Sequence, residues 1–146
     1  MEITIRELKH RLDNFDIVQE SASIIEDTAE TIADFNRKQL FAGLRSTGTE
    51  IKPEYAPYTI LIKDQKGQPT DRVTLKDTGE FYDSISVDVN SKSYELVASD
   101  DKTDDLQNID GNRILGLTKE NKGEYLNYTF IPELRDRITR KLGFAF

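Results

Sequence analysis

Leu75-Lys76-Asp77-Thr78-Gly79-Glu80-Phe81-Tyr82-Asp83-Ser84-Ile85 is the stretch on which the reading of the fold turns. It sets Thr78-Gly79 between a leucine and an aromatic pair. Gly79 permits a backbone turn that other residues resist. Beyond Ser84 the apolar residues alternate, Ile85, Val87, Val89, which is the period of a half-buried strand. The segment therefore predicts a tight corner that feeds directly into a strand, with Phe81 and Tyr82 as wedges. Tyr94 to Ser99 predicts a second strand. Asn90 to Ser93 alone separates the two, a spacing that gives an antiparallel hairpin.

Upstream, Ile5, Leu8, Leu12 and Phe15 recur at helical spacing over residues 3–15. Val18, Ala22, Ile25, Ala29, Ile32 and Phe35 then form one stripe, and no Gly or Pro falls between Asp16 and Ala42. This predicts a single long helix from about Asp16 to Leu44, stopped at Gly43. At ~1.5 Å per residue it would run about 40 Å, so it would serve as a backbone for the other elements or be shared with a neighbour. Residues 45–58 and 65–70 carry Gly48, Pro53, Pro57, Gly67 and Pro69 and read as loops. Between them, Tyr58 to Ile62 admits strand or helix equally.

Downstream, Asp100 to Gly111 is acidic and fits a short helix ending at Gly111. Ile114-Leu115-Gly116-Leu117 is a short apolar segment. Thr118 can cap a final helix bearing Tyr125, Leu126 and Tyr128. Pro132 starts a new turn, Leu134, Ile138 and Leu142 complete the stripe, and Gly143 ends it. The expected class is α+β: a long N-terminal helix and a C-terminal helix packed on a small antiparallel β-sheet. One domain over 1–146 is expected, with the loop 45–72 and the tail 143–146 as its mobile parts.

Composition narrows the functions. Of 146 residues, 36% are hydrophobic and 32% charged, a lean core with a heavily solvated surface that favours a subunit stabilised by partners. The net charge of -7 repels a phosphate backbone, which argues against general binding to nucleic acid or anionic membranes. Basic residues gather only at Lys9 to Arg11 and at Arg135, Arg137, Arg140 and Lys141. The absence of cysteine rules out disulfides and thiolate metal sites. No signal core opens the chain and no run nears the ~18 apolar residues of a membrane span. A protein made and kept in a cytoplasm is expected, at least until assembly.

Candidate chemistry is sparse. His10 is the single histidine, sits between Lys9 and Arg11, and reads as a surface residue rather than a catalytic base. The run Asp100, Asp101, Asp104, Asp105, Asp110, Gly111 invites a calcium loop. Counting from Asp105, however, the sixth position is Asp110 rather than Gly, and no Glu falls at the twelfth. A solvated acidic turn, or a contact with a basic partner, fits better. Asp77 and Glu80 could pair as hydrolytic carboxylates, but no further acid-base residue is linked to them. No cofactor, metal or catalytic residue is expected. The tail Leu142-Gly143-Phe144-Ala145-Phe146 carries two phenylalanines that need cover, on this subunit or on a neighbour.

The pattern of Leu75, two residues, Thr78-Gly79, an apolar residue and Ser84-Ile85 resembles one found in virion-morphogenesis proteins of tailed bacteriophages, the neck, tail-completion and minor tail proteins. Asn36-Arg37-Lys38-Gln39-Leu40-Phe41-Ala42-Gly43-Leu44 is similar to the helix end of that family. Tyr55, Pro57, Tyr58, Lys63 and Lys66-Gly67 resemble its linking region, where a short helix is common. Ser99-Asp100-Asp101-Lys102 and Ile114 to Thr118 resemble segments in phages and prophages of gut Bacteroidetes. Phe81-Tyr82 departs from the single leucine common at that place. The resemblance implies a non-enzymatic virion protein that forms a ring at the neck or tail end, for tail completion or head-tail joining. Its expected partners are copies of itself and neighbouring portal, neck or tail proteins. DNA would pass through an acidic lumen without specific binding, and no membrane is involved. The expected location is the virion, with the host cytoplasm during assembly. Thr78, Gly79, Phe81, Tyr82 and Ser84 would form the structural corner. The expected interface joins Arg135, Ile138, Leu142, Phe144 and Phe146 to Asp100, Asp101, Asp104 and Asp105 of another copy. The rival readings are a non-viral protein-binding adaptor and, behind it, a small hydrolase.

Overall fold

The computed structural model describes residues 2–111 and 113–143. Its first helix, α1 (Ile5–Asp13), opens on a reciprocal cap. The Thr4 hydroxyl accepts from the Glu7 amide at 3.2 Å, and the Glu7 carboxylate accepts from the Thr4 amide at 3.0 Å. The same contact holds the Glu7 carboxyl below its usual range. Asp16 caps α2 (Ile17–Asp27) by accepting from the amides of Val18 and Gln19. α3 (Ala29–Phe41) follows after one residue.

The single long helix expected over Asp16 to Leu44 is therefore two. The chain bends at Thr28, whose hydroxyl donates back to the Ile24 carbonyl at 2.7 Å and meets the Tyr125 hydroxyl at 2.8 Å. A threonine that bonds back to the preceding turn bends a helix. Here a tyrosine from the far end of the chain fixes the bend. The end of α3 just before Gly43 agrees with the sequence.

Tyr58 to Ile62 belongs to a helix, α4 (Pro57–Gln65), inside the stretch expected as a loop. Pro57 at its first turn decides the matter, since proline's missing N–H costs nothing there. The Thr78-Gly79 corner does not feed the strand directly. A short helix, α5 (Glu80–Ser84), intervenes and carries Phe81 and Tyr82 inward. Then come β1 (Ile85–Val89) and β2 (Tyr94–Ala98), antiparallel, with Ile85 opposite Ala98 and Val89 opposite Tyr94. The Asn90 side-chain oxygen accepts from the amides of Lys92 and Ser93 and closes the hairpin turn.

α6 (Thr103–Asp110) ends at Gly111, as expected from the sequence. Thr118 caps α7 (Lys119–Tyr125) by accepting from the Asn121 amide. A wide π turn, Leu126–Phe130, joins α7 to α8 (Ile131–Leu142). Pro132 explains the wide turn: it has no amide for the Tyr128 carbonyl and its ring would crowd that group, so the backbone opens.

The α+β class read from the sequence is the one observed. α2 and α3 lie on β1, and α5 lies on β2. The core between them holds Ile32, Leu40, Phe81, Ile85, Leu96, Ile114 and Tyr125, each less than a tenth exposed. α8 packs across α1 and α2 and so joins the sheet layer through α2. Two buried amides on α3 hold the 114–118 segment. Asn36 donates to the carbonyls of Ile114 and Gly116, and Gln39 bridges Gly116, Thr118 and Asn121.

Candidate functional site

The corner is built around Thr74. Its carbonyl accepts from the Tyr82 hydroxyl at 2.5 Å, and its amide donates to the Tyr55 hydroxyl at 2.9 Å. Burial pushes the Tyr82 phenol well up from its ordinary range, which keeps it a neutral donor. Leu75 holds φ 57° and Gly79 holds φ 100°, both in the left-handed region. For leucine that conformation is costly and persists only where the surroundings impose it. The Thr78 hydroxyl accepts a long bond from the Glu80 amide, 3.4 Å. Phe81 and Tyr82 meet edge to face, 6.2 Å between ring centres. Ser84 donates to the Phe81 carbonyl at 2.8 Å and accepts from the Asp100 amide at 3.2 Å, so it ties the end of α5 to the acidic segment.

Beside this corner lies a groove of about 450 Å³. Its walls are mainly Tyr55, Val73, Leu75, Phe81, Leu106 and Ile109, from α4's approach, the corner and α6. Lys63 of α4 closes one side and is only 8% exposed. Its ammonium donates to the Lys76 carbonyl at 2.7 Å and to Gln68 at 3.2 Å, and lies 4.9 Å from the centre of the Tyr55 ring. At the rim Lys66 binds Asp77 at 2.6 Å, and that hydrogen bond holds the Asp77 carboxyl below its usual range. Asp77 and Glu80 both border the groove. Asp77 is thus engaged by a lysine, which leaves it poorly placed to share a proton with Glu80.

α4 presents an inverted surface. Lys63 is its buried residue, while Tyr58 is 73% and Leu61 55% exposed, with Ile60 beside them also exposed. Fully burying such a side chain stabilises by about 1.5–3 kcal/mol, so this ridge leaves a large stabilisation unused.

The expected interface residues fall in different environments. Arg135 is exposed on α8 and makes no ion pair among the described residues. Ile138 is half-buried and Leu142 is buried, because the Leu134-Ile138-Leu142 stripe faces α1 and α2 of the same subunit. The other basic groups of α8 are largely engaged within the chain. Arg137 bonds Glu133 at 3.0 Å, Ser23 at 2.9 Å and Asp27 at 2.5 Å, and Lys141 pairs with Glu20. Phe144 and Phe146 lie outside the described residues. Asp100 is a turn residue: its carboxylate accepts from the Lys102 amide and its carbonyl from the Thr103 amide. Asp101, Asp104 and Asp105 are exposed. Among the described residues none of the three forms an ion pair, and none lines the groove, to which this segment turns Lys102, Leu106 and Ile109.

His10 is exposed on α1. Among the described residues no three His, Cys, Asp or Glu side chains cluster to hold a metal, and no helix is long and apolar enough to cross a membrane. Sequence reasoning missed the buried Lys63, the Tyr55-Thr74-Tyr82 bonding and the bare face of α4. A signal for the last was available: four of the five residues Tyr58-Thr59-Ile60-Leu61-Ile62 are apolar, and one helix face on a thin core cannot cover them all. Compared with family models, with curated protein sequences and with solved structures, the chain matches none.

Proposed function

We propose that this chain is a structural subunit of a tailed-phage virion, one that joins a ring at the neck or tail end and works by assembly rather than by chemistry. The observation that carries the reading is the α4 ridge of Tyr58, Ile60 and Leu61, bare on a subunit whose own core is thin. A patch of this kind marks a protein contact. The resemblance of the Thr78-Gly79 corner and the segments around it to virion-morphogenesis proteins supplies the kind of assembly. Partners are further copies and the adjoining portal, neck or tail proteins. The net charge of -7 suits a lumen through which DNA slides without sticking. The protein would reside in the virion after assembly in the host cytoplasm.

A non-viral adaptor would use the same ridge, so the test must discriminate. Electron microscopy of the protein co-produced with neighbouring gene products should show it as a ring at the neck or tail end of particles. Complete particles that lack it would overturn the reading and favour the adaptor.

A further inference from the structure

We infer that the groove beside the Thr78-Gly79 corner is a binding site for an organic acid with an apolar body. The carboxylate would pair with Lys63 and Lys102, and the body would lie against Leu75, Phe81, Leu106 and Ile109. The site is separate from the assembly reading, which rests on Tyr58, Ile60 and Leu61.

The need for an anion comes from Lys63, which lines the groove and is 8% exposed. Its ammonium has three N–H donors, and the Lys76 carbonyl at 2.7 Å and the Gln68 side chain at 3.2 Å take two of them. Both acceptors are neutral, and so is the Tyr55 ring beneath it. A lysine is rarely buried unless paired with an opposite charge, yet among the described residues no carboxylate forms an ion pair with Lys63. Asp77 feels the charges of Lys63 and Lys102 but bonds Lys66 at 2.6 Å. Lys102 is exposed, lines the groove too, and has no ion pair among the described residues. Lys76 keeps its ammonium over the rings of Phe41 and Tyr82. Of the remaining acids of the lining, Glu54 is held by Lys52 at 2.8 Å, which leaves Glu80 alone against Lys63 and Lys102.

The walls call for an apolar body. The tyrosine hydroxyls that could bond a polar one are turned to Thr74: Tyr82 donates to its carbonyl and Tyr55 accepts from its amide. At about 450 Å³ the groove falls in the ~300–1,000 Å³ range of small-ligand sites, which combine apolar walls with a few placed polar groups. Leu75, in the wall, is held at φ 57°, and backbone strain of this kind gathers where ligands bind. A single carboxylate suits the place better than an acidic chain. Asp101, Asp104 and Asp105 are exposed along the segment that supplies Lys102, Leu106 and Ile109, and they would repel further negative charge.

The probe is decanoate, titrated into the full-length chain below its micelle concentration, with decanol and decyltrimethylammonium as controls. Saturable binding is expected, with methyl NMR shifts at Leu75, Leu106 and Ile109. Decanol should bind about tenfold more weakly, the worth of a hydrogen bond to a charged group, and decyltrimethylammonium not at all. Lys63→Met, which keeps an apolar stem and removes the ammonium, should erase the preference for acid over alcohol. Lys102→Glu replaces an exposed side chain and should leave the circular dichroism unchanged. It should weaken decanoate about threefold at low salt and less at high salt, and it decides the matter if Lys63→Met fails to fold. Absence of saturable binding, equal binding of acid and alcohol, or indifference to Lys102→Glu would each overturn the inference. So would shifts confined to Ile60 and Leu61, which would put the probe on the bare ridge of α4. Tighter binding in the groove by a peptide with a phenylalanine between two glutamates would overturn it too, and would make the groove a protein-docking site.

Discussion

At Gly79 the constraint is conformational rather than spatial. A Cβ built there would meet only the Lys76 Cε, at 4.0 Å, yet φ is 100°. Gly79→Val should therefore cost more than ~1 kcal/mol through the backbone alone, and Gly79→Asn less, since Asn tolerates this region better. Urea denaturation measures both, and equal midpoints for Val and parent would remove the corner's structural role. Glu20 poses a question of pH. It is buried to 9% exposure, and its hydrogen bond with Lys141 lowers its carboxyl pKa, opposed by burial and aided by Arg137. A depressed carboxylate contributes stability that is full above its unfolded value near 4.5 and is lost as pH falls through the folded value. Melting temperature should thus decline below about pH 4.5, and Glu20→Gln should start lower at neutral pH and decline less. Parallel curves for the two proteins would dismiss this coupling. Gly79 was legible because a turn glycine between apolar runs has few other uses. Lys63 was not, because lysine is rarely buried unless paired, and its acceptors are the Lys76 carbonyl and a glutamine.

Among the elements, the bend at Thr28 shows where local pattern stops being enough. The stripe from Val18 to Phe35 continues unbroken through it. The residue that holds the bend, Tyr125, stands 97 positions away. A double-mutant cycle of Thr28→Val and Tyr125→Phe should return a coupling of about 0.5–1.5 kcal/mol, because either change alone leaves the other hydroxyl without its partner. A coupling of zero would mean that Thr28 bends the helix through Ile24 alone. α5 escaped sequence reading for a different reason: five residues are too short for a helical period to register. α4 was ambiguous because its β-branched residues favour a strand while the resembled family often has a short helix there, and Pro57 at the first turn decided it.

For the whole molecule, the hairpin and the terminal helices followed from apolar period, and the α+β class with them. The groove and the bare ridge of α4 did not, because both depend on which faces are left over after packing. The ridge carries a prediction of its own. Tyr58→Lys with Leu61→Lys should leave the monomer's stability within about 0.5 kcal/mol, as exposed substitutions usually do, yet abolish entry into particles. Normal entry would show that the ridge contacts nothing there. The contact between α1 and α8 has a further consequence, for the order of synthesis. α1 has no buried residue, and Arg11 leans on a carbonyl made 131 residues later. At ~5–20 residues per second, a ribosome takes on the order of ten seconds to cover that distance. Until then residues 5–13 have no α8 to dock on, so nascent chains arrested before residue 131 should leave them open to proteases that spare them in the finished protein.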